Sequence, residues 1–423
     1  MCYYFHLDKE IKFYEHLKWT LKTLSQYAQI EICFVEQETK AQYIINSQFG
    51  DVILNYDFWE NILNKKYDNI LLNDNLYVLD KDGKEDYLAT AFYFVNCLWE
   101  YKKEVRTDKF DRHEFQYSVW KDKGKTFTIV NSSFDKILNK LKIPLPKIKT
   151  SIHLSHDIDS IYGSFFQDGF SMLRKKQFSR IIPFVFNTVI QGPQWFNFKK
   201  IANTELKYNY KSSFFWLVEK GKTKFGVSNS DYNILNKKLG KAIKWLDEKG
   251  FENGLHKSIS DQTHQEEIIK LPFGNCISNR NHFLKYDFKN LITSISNSEI
   301  EVDYSLGYAE VLGYRNGYSL PFVPFDLEKN KPSNFVEVPL AIMDGTLSKY
   351  LKLNVEESLA LVKQFIIEHE YNSVISILWH NSNFTDYKYE GFPRLYEEIL
   401  KFAKEKDFIS LNSKQIKNRF NEF

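Results

Sequence analysis

Asp157 and Asp159 stand two residues apart at the end of the run 151–160, SIHLSHDIDS. The alternation of Ile152, His153, Leu154 and Ser155 reads as a short buried strand. Residues two apart on a strand point to one side, so both carboxylates face the same way. Two like charges held together are costly unless something compensates them. A bound cation is the usual compensation, and it leaves one Asp ionised as a base while the other ligates the metal. A D-x-D after a strand is also a common solvated turn or helix cap, so the rest of the chain has to decide.

Four further places offer reactive groups at or near strand ends: His256, Arg280 with His282, Asp303, and His380. A lone His is more often a satisfied core or surface residue than a ligand. Their recurrence at successive strand ends is harder to dismiss. Asp, His and His are also the ligand set that zinc or a similar divalent metal favours while leaving positions open for water.

The elements that must position these groups alternate along the chain. Strands are expected at 151–159, 211–219, 252–258, 301–309, 336–344 and 373–381, with helical periodicity at 233–251, 288–300 and 355–371. This order predicts an α/β fold, either a parallel β/α barrel or an open sheet, and both place their sites at the carboxyl ends of the strands. Upstream, 10–30 reads as a helix, 31–35 and 41–46 as strands, 51–63 as a strand turning into a helix, 90–103 as a buried helix, and 127–142 as a strand and a helix. The run 143–150, IPLPKIKT, reads as a linker. It divides the chain into a small α/β domain at 1–145, which carries no cluster of reactive residues, and a second domain at 146–423.

A length of 423 residues agrees with two domains. Apolar content of 43% and aromatic content of 17% allow a sizeable core and argue against disorder. The net charge of +3, from 57 basic and 54 acidic residues, gives no whole-chain reason to expect nucleic acid or membrane as a partner. The local basic run 172–180, MLRKKQFSR, reads as a solvated face or, failing that, an anion- or membrane-contacting patch. Cys2, Cys33, Cys97 and Cys276 show no C-x-x-C spacing, so neither a disulfide framework nor a zinc ribbon is expected. The first residues are charged too early for a signal peptide. The longest apolar stretches, such as 181–190, are far short of a transmembrane segment. The expected setting is cytoplasmic and reduced, with the inner face of the membrane as a variant of it. Oligomeric state is not legible.

Several stretches together resemble the polysaccharide deacetylase family, the NodB-like carbohydrate esterases. They are SHDID, KSSFFWL, GFENGLHKS, SNRNHFL, EVDYSLGYA and SVISILWHN, in the family's order from 150 to about 410. The likeness is closer to a branch with the motifs THDVD, GLHPS, RQHYL, YAEHxGFR and WHN, whose members often carry an N-terminal domain without an assigned role. DYLATAFYFVNCLWEY resembles a helix of that domain. The resemblance implies a distorted parallel (β/α) barrel and a hydrolase that removes N-acetyl groups from sugars of a cell-envelope or exported polysaccharide. It implies Asp157 as base, Asp159 and His256 as ligands of a divalent metal, zinc foremost, Arg280 as the group orienting the base, and His380 as general acid with Asp303 or another acid tuning it. Arg315, in GYRNG, would contact substrate or form a salt bridge. Trp216, Tyr304, Tyr308 and Trp379 would stack on sugar rings or lie in the core.

One departure matters. The family's second motif usually supplies two His four apart, and here the second position is Ser260. Either His282 replaces the missing ligand, or Asp159 and His256 hold the metal with extra water, or the site is degenerate and the protein binds glycans without cleaving them. His156 is a spare candidate whose alternative is packing beneath the site. His264, in a polar run, is expected to face solvent.

Overall fold

The computed structural model describes residues 2–46, 51–103, 106–224 and 226–421. Near the amino terminus, β1 (Cys2–Leu7), β2 (Glu31–Val35), β3 (Tyr43–Asn46) and β4 (Val52–Ile53) form a parallel sheet in the order β2-β1-β3-β4. Helix α1 (Tyr14–Ala28) follows β1, and α2 (Tyr56–Leu63) follows β4. Helix α3 (Tyr87–Val95) is capped by the Asp86 carboxylate and is buried from Leu88 to its end, as its unbroken apolar sequence requires. Helix α4 (Ile129–Lys140) takes in the stretch expected to begin as a strand; the β-branched run at 128–130 forms its first turn instead. Cys2 and Cys33, on adjacent strands, are joined as a disulfide. Spacing along the chain gave no sign of that pairing, because strand neighbours are set by the sheet.

Nine parallel strands make the larger sheet. They are β5 (Ser151–Ile158), β6 (Ser212–Leu217), β7 (Glu252–Lys257), β8 (Ser278–Asn281), β9 (Val302–Asp303), β10 (Val336–Glu337), β11 (Leu340–Met343), β12 (Val374–Leu378) and β13 (Ile409–Ser410). Their order is β10-β9-β8-β7-β6-β5-β12-β11, with β13 beside the start of β5. The two outer strands, β10 and β11, are consecutive pieces of one extended run. Pairing its first part with β9 and its second with β12 curls the sheet back on itself into a distorted (β/α) barrel. All eight residues of β5 are buried, as a central parallel strand covered on both faces demands. Helices cover the outside. The last long helix, Phe392–Glu405, buries Phe392, Leu395, Tyr396, Ile399, Leu400 and Ala403, a single stripe at helical spacing.

The first 145 residues and the barrel share one continuous hydrophobic core. Trp19 Nε1 donates to the Val323 carbonyl at 2.9 Å, and Trp120 Nε1 to that of Arg315 at 2.9 Å. Between β5 and β6 the chain inserts two consecutive helices, α5 (Ser164–Arg174) and α6 (Phe178–Gln191), before α7 (Phe198–Leu206). Among the described residues no helix is long and apolar enough to cross a membrane.

Candidate metal centre

Parallel strands starting at one end of the barrel finish at the other, so residues distant in sequence meet at the carboxyl ends. Asp159 follows the end of β5, His256 lies near the end of β7, His282 follows β8, and His380 lies just beyond β12. Asp159, His256 and His282 each offer one ligand atom, all within 4.8 Å of one another, and together could hold a metal ion.

Asp159 is the hub. Its Oδ1 lies 3.3 Å from His256 Nε2 and 3.7 Å from His282 Nε2, and its Oδ2 lies 3.7 Å from His380 Nε2. The side chain is 38% exposed, yet Oδ1 is buried and finds no hydrogen-bond partner among the described residues. Burial opposes ionisation here, but the three imidazoles outweigh it and hold the carboxyl well below its usual range.

His256 Nδ1 donates to the Arg280 carbonyl at 2.7 Å. A carbonyl only accepts, so the proton sits on Nδ1 and the neutral ring turns the Nε2 lone pair toward Asp159 and Asp157. A lone pair facing two carboxylates calls for a proton or a metal cation between them. Without metal the proton takes that place: burial works against it, but Asp157 and Asp159 raise the His256 pKa.

His282 reaches the cluster through unusual backbone. Phe283 and Leu284 both have positive φ, 61° and 56°, a conformation that costs L-residues roughly 1–2 kcal/mol each. The turn is supported from the amino-terminal region. The Phe283 ring stacks on His282 at 3.9 Å and on Phe110 at 4.3 Å, and Arg112 Nη1 donates to the Phe283 carbonyl at 3.4 Å. Burial lowers the His282 pKa to about 4, so the ring is neutral and able to ligate.

Two further groups flank the cluster. Arg280 Nη1 donates to Asp157 Oδ1 at 3.0 Å and to Ser155 Oγ at 2.8 Å, while Asp157 Oδ2 lies 3.6 Å from His256 Nε2. His380 Nδ1 donates to Asp344 Oδ1 at 2.7 Å, and the His380 backbone N–H donates to Asp344 Oδ2 at 2.7 Å. Burial would lower the His380 pKa, but Asp344, helped by Asp159 and Asp157, raises it to about 9. Asp344, rather than Asp303, therefore holds His380. Asp303 is fully buried and bonded to Asn279 and Ser305. Asp344 went unnoticed, although it ends the expected strand at 336–344 and the strand-end rule that flagged the others applied to it equally.

Other expected residues lie elsewhere. Arg315 is buried with Nε and Nη2 on the two oxygens of Glu100, at 2.8 and 2.7 Å, so it cannot reach a substrate. Trp379 is fully buried against Tyr396 and Phe392, and Tyr308 is buried against Phe115, so neither offers a face to a sugar. Trp216 and Tyr304 are core residues, bonded to Asn253 and Ser413. Ser260 bonds to Glu267 and accepts from Lys257, at a buried ion pair. His264 is buried between Ser294 and Asn281 rather than solvent-facing. A cavity of about 900 Å³ opens at the amino ends of the strands, lined by Ser212, Glu252 and Ser410 among others, but its lining holds no histidine.

No protein-family model and no curated protein matches the sequence. Among solved structures, the chain is similar to one described as "putative polysaccharide deacetylase from Mycobacterium smegmatis", with 10% sequence identity and a TM-score of 0.43, over 66% of this chain and 93% of that one. A likeness at that level bears on neither fold nor function; the fold rests on the strand pairing and the functional reading on the residues of the centre.

Proposed function

We propose that the chain is a metal-dependent hydrolase that removes N-acetyl groups from sugars of a cell-envelope or exported polysaccharide. One observation carries this reading: an Asp/His/His group is flanked by an Arg-held carboxylate on one side and a carboxylate-held imidazole on the other. The donor set and the orphaned Asp159 Oδ1 fit a divalent ion, with zinc the first choice for two imidazoles and one carboxylate. Such an ion supplies a Lewis acid and an acidified water.

The chain's own residues would do the proton work. Asp157, oriented by Arg280 through Oδ1, keeps Oδ2 toward the cluster and takes a proton from the attacking water. His380 is raised to about 9 and so is protonated at neutral pH. Because Asp344 occupies Nδ1, the acidic proton sits on Nε2, on the side of Asp159. From there it passes to the leaving amine, and the products are acetate and the free amino sugar. The division at 145/146 belongs to the same proposal, with the amino-terminal part acting as a support for the His282 turn.

Metal analysis of the protein and of an Asp159→Ala, His256→Ala double variant tests the reading, together with acetate release from N-acetyl sugars. About one ion per chain, lost in the variant, with acetate release by the parent protein, is the expected result. Metal and sugar binding without acetate release would favour a glycan-binding or scaffold protein of polysaccharide biosynthesis. No metal in either protein after soaking would end the proposal.

A further inference from the structure

The hairpin α5–α6 is additional to a plain β/α unit, and its two sides differ sharply. Inward, Met172 and Phe184 are buried, Phe184 against Tyr387 at 4.9 Å, and the Asp168 carboxylate accepts from Trp195 Nε1 at 2.9 Å. Outward, Phe166, Phe170 and Leu173 of α5 and Ile182, Phe186 and Val189 of α6 repeat the same i, i+4, i+7 spacing. These two apolar stripes lie in solvent, with Phe166 76%, Phe170 69%, Ile182 78% and Val189 79% exposed. A soluble chain rarely leaves a contiguous apolar face of this kind uncovered.

Charge says what covers it. Residues 164–191 contain one acid, Asp168, and it is buried. Arg174, Lys175, Lys176 and Arg180 cluster where the two helices join. Arg180 is shared with Glu390 at 3.4 Å, while Arg174, Lys175 and Lys176 are exposed. Apolar stripes bordered by basic residues, with no exposed acid within the hairpin itself, complement an apolar layer beneath anionic headgroups. We infer that the α5–α6 hairpin docks this protein on an anionic lipid membrane surface.

The hairpin is seated on the segment that follows His380. Thr385 Oγ1 donates to the Asp168 carboxylate at 3.2 Å, Arg180 Nη2 to the Asp386 carbonyl at 3.0 Å, and Lys175 Nζ to the Lys388 carbonyl at 3.1 Å. The hairpin leaves the carboxyl end of β5, on the same side of the barrel as the strand-end cluster, so docking turns that side toward the headgroups. If the deacetylase reading holds, on which this step alone rests, the substrate class is an N-acetylated sugar carried on a lipid.

Co-sedimentation of the full chain with vesicles tests the inference, using phosphatidylglycerol and phosphatidylcholine in equal parts against phosphatidylcholine alone. Binding to the anionic vesicles is expected, weakened by salt. Phe170→Asp with Ile182→Asp, or Arg174→Glu with Lys176→Glu, should each weaken it by about tenfold or more, with helix content and melting temperature unchanged. No binding to anionic vesicles, or equal binding by both variants, overturns the inference. So does self-association that the Phe170→Asp, Ile182→Asp variant abolishes, which would make the face a protein interface. Acetate release from a lipid-linked N-acetyl sugar carried in the same vesicles, measured in parallel, separates the two readings: vesicle binding without hydrolysis leaves the docking standing and removes the deacetylase.

Discussion

His156 and Asp157 are neighbours on β5, yet they serve two different buried groups, because successive strand residues face opposite sides. On one side, His156 Nδ1 donates to the Trp379 carbonyl at 2.7 Å and Nε2 lies 2.8 Å from Glu205 Oε1. Glu205 also accepts from Tyr396 and Ser212. On the other side, Asp157, Asp159, His256 and His282 gather the same residue types at the barrel mouth. There Asp159 Oδ1 and His282 Nδ1 are buried without a hydrogen-bond partner among the described residues. Composition does not distinguish the two groups; saturation does. Buried polar atoms in native proteins are nearly always paired. A pair that is fully satisfied by protein reads as structure, and a group left short of partners reads as a place for something else to bind.

The contrast can be broken by substitution. Asp157→Asn should lower the rate of acetate release by ~10²–10⁴ while metal content by elemental analysis stays the same. An active Asp157→Asn protein would erase the distinction between the two sides of β5. His156→Ala should instead lower unfolding free energy by about 3–5 kcal/mol in denaturant titration, since it removes the imidazole from a buried Glu205 that keeps only two hydroxyl donors. Asp159→Asn should lose the metal and, with both proteins stripped of metal by chelator, cost no stability. Equal stability losses in the two variants would mean that both groups are structural.

Two smaller effects sharpen the comparison. His264, bonded on both ring nitrogens, has its pKa lowered by burial from 6.5 to about 4. A depressed native pKa means that the unfolded chain takes up the proton first as pH falls. The contribution is therefore full above about pH 6.5 and declines as pH drops toward 4, by about 2 kcal/mol at pH 5. His264→Gln should flatten that part of the stability–pH curve. Phe110→Ala removes the outer ring of the stack behind His282 and should weaken metal affinity by about tenfold, as losing the support of a ligand does. An unchanged affinity would show that the strained turn at 283–284 holds His282 without help from the amino-terminal region.

The barrel and the grouping of reactive residues at strand ends were legible for local reasons. Alternating strands and helices after residue 150, and two aspartates on one face of a strand, follow from backbone periodicities that need no partner. The strand-end rule also brought His256, Arg280, His282 and His380 into view. It failed where partner choice decides. Arg315 is taken by Glu100, 215 residues away. Trp379 and Tyr308 are consumed by the core. Asp344, not Asp303, meets His380 because β11 lies beside β12. The basic run at 172–180 was visible, but its reading as a solvated face overlooked the apolar stripes beside it.

By itself, the sequence determined the strand–helix alternation of the barrel and which reactive residues stand at strand ends, because each depends on the pattern of a few consecutive side chains. Only the tertiary structure decided that His282 turns inward to stand where Ser260 does not, that Asp344 holds His380, and that α5 and α6 leave two apolar stripes in solvent. Those outcomes depend on which buried atoms find partners across the fold, and hydrogen bonding between residues a hundred or more apart leaves no period in the chain.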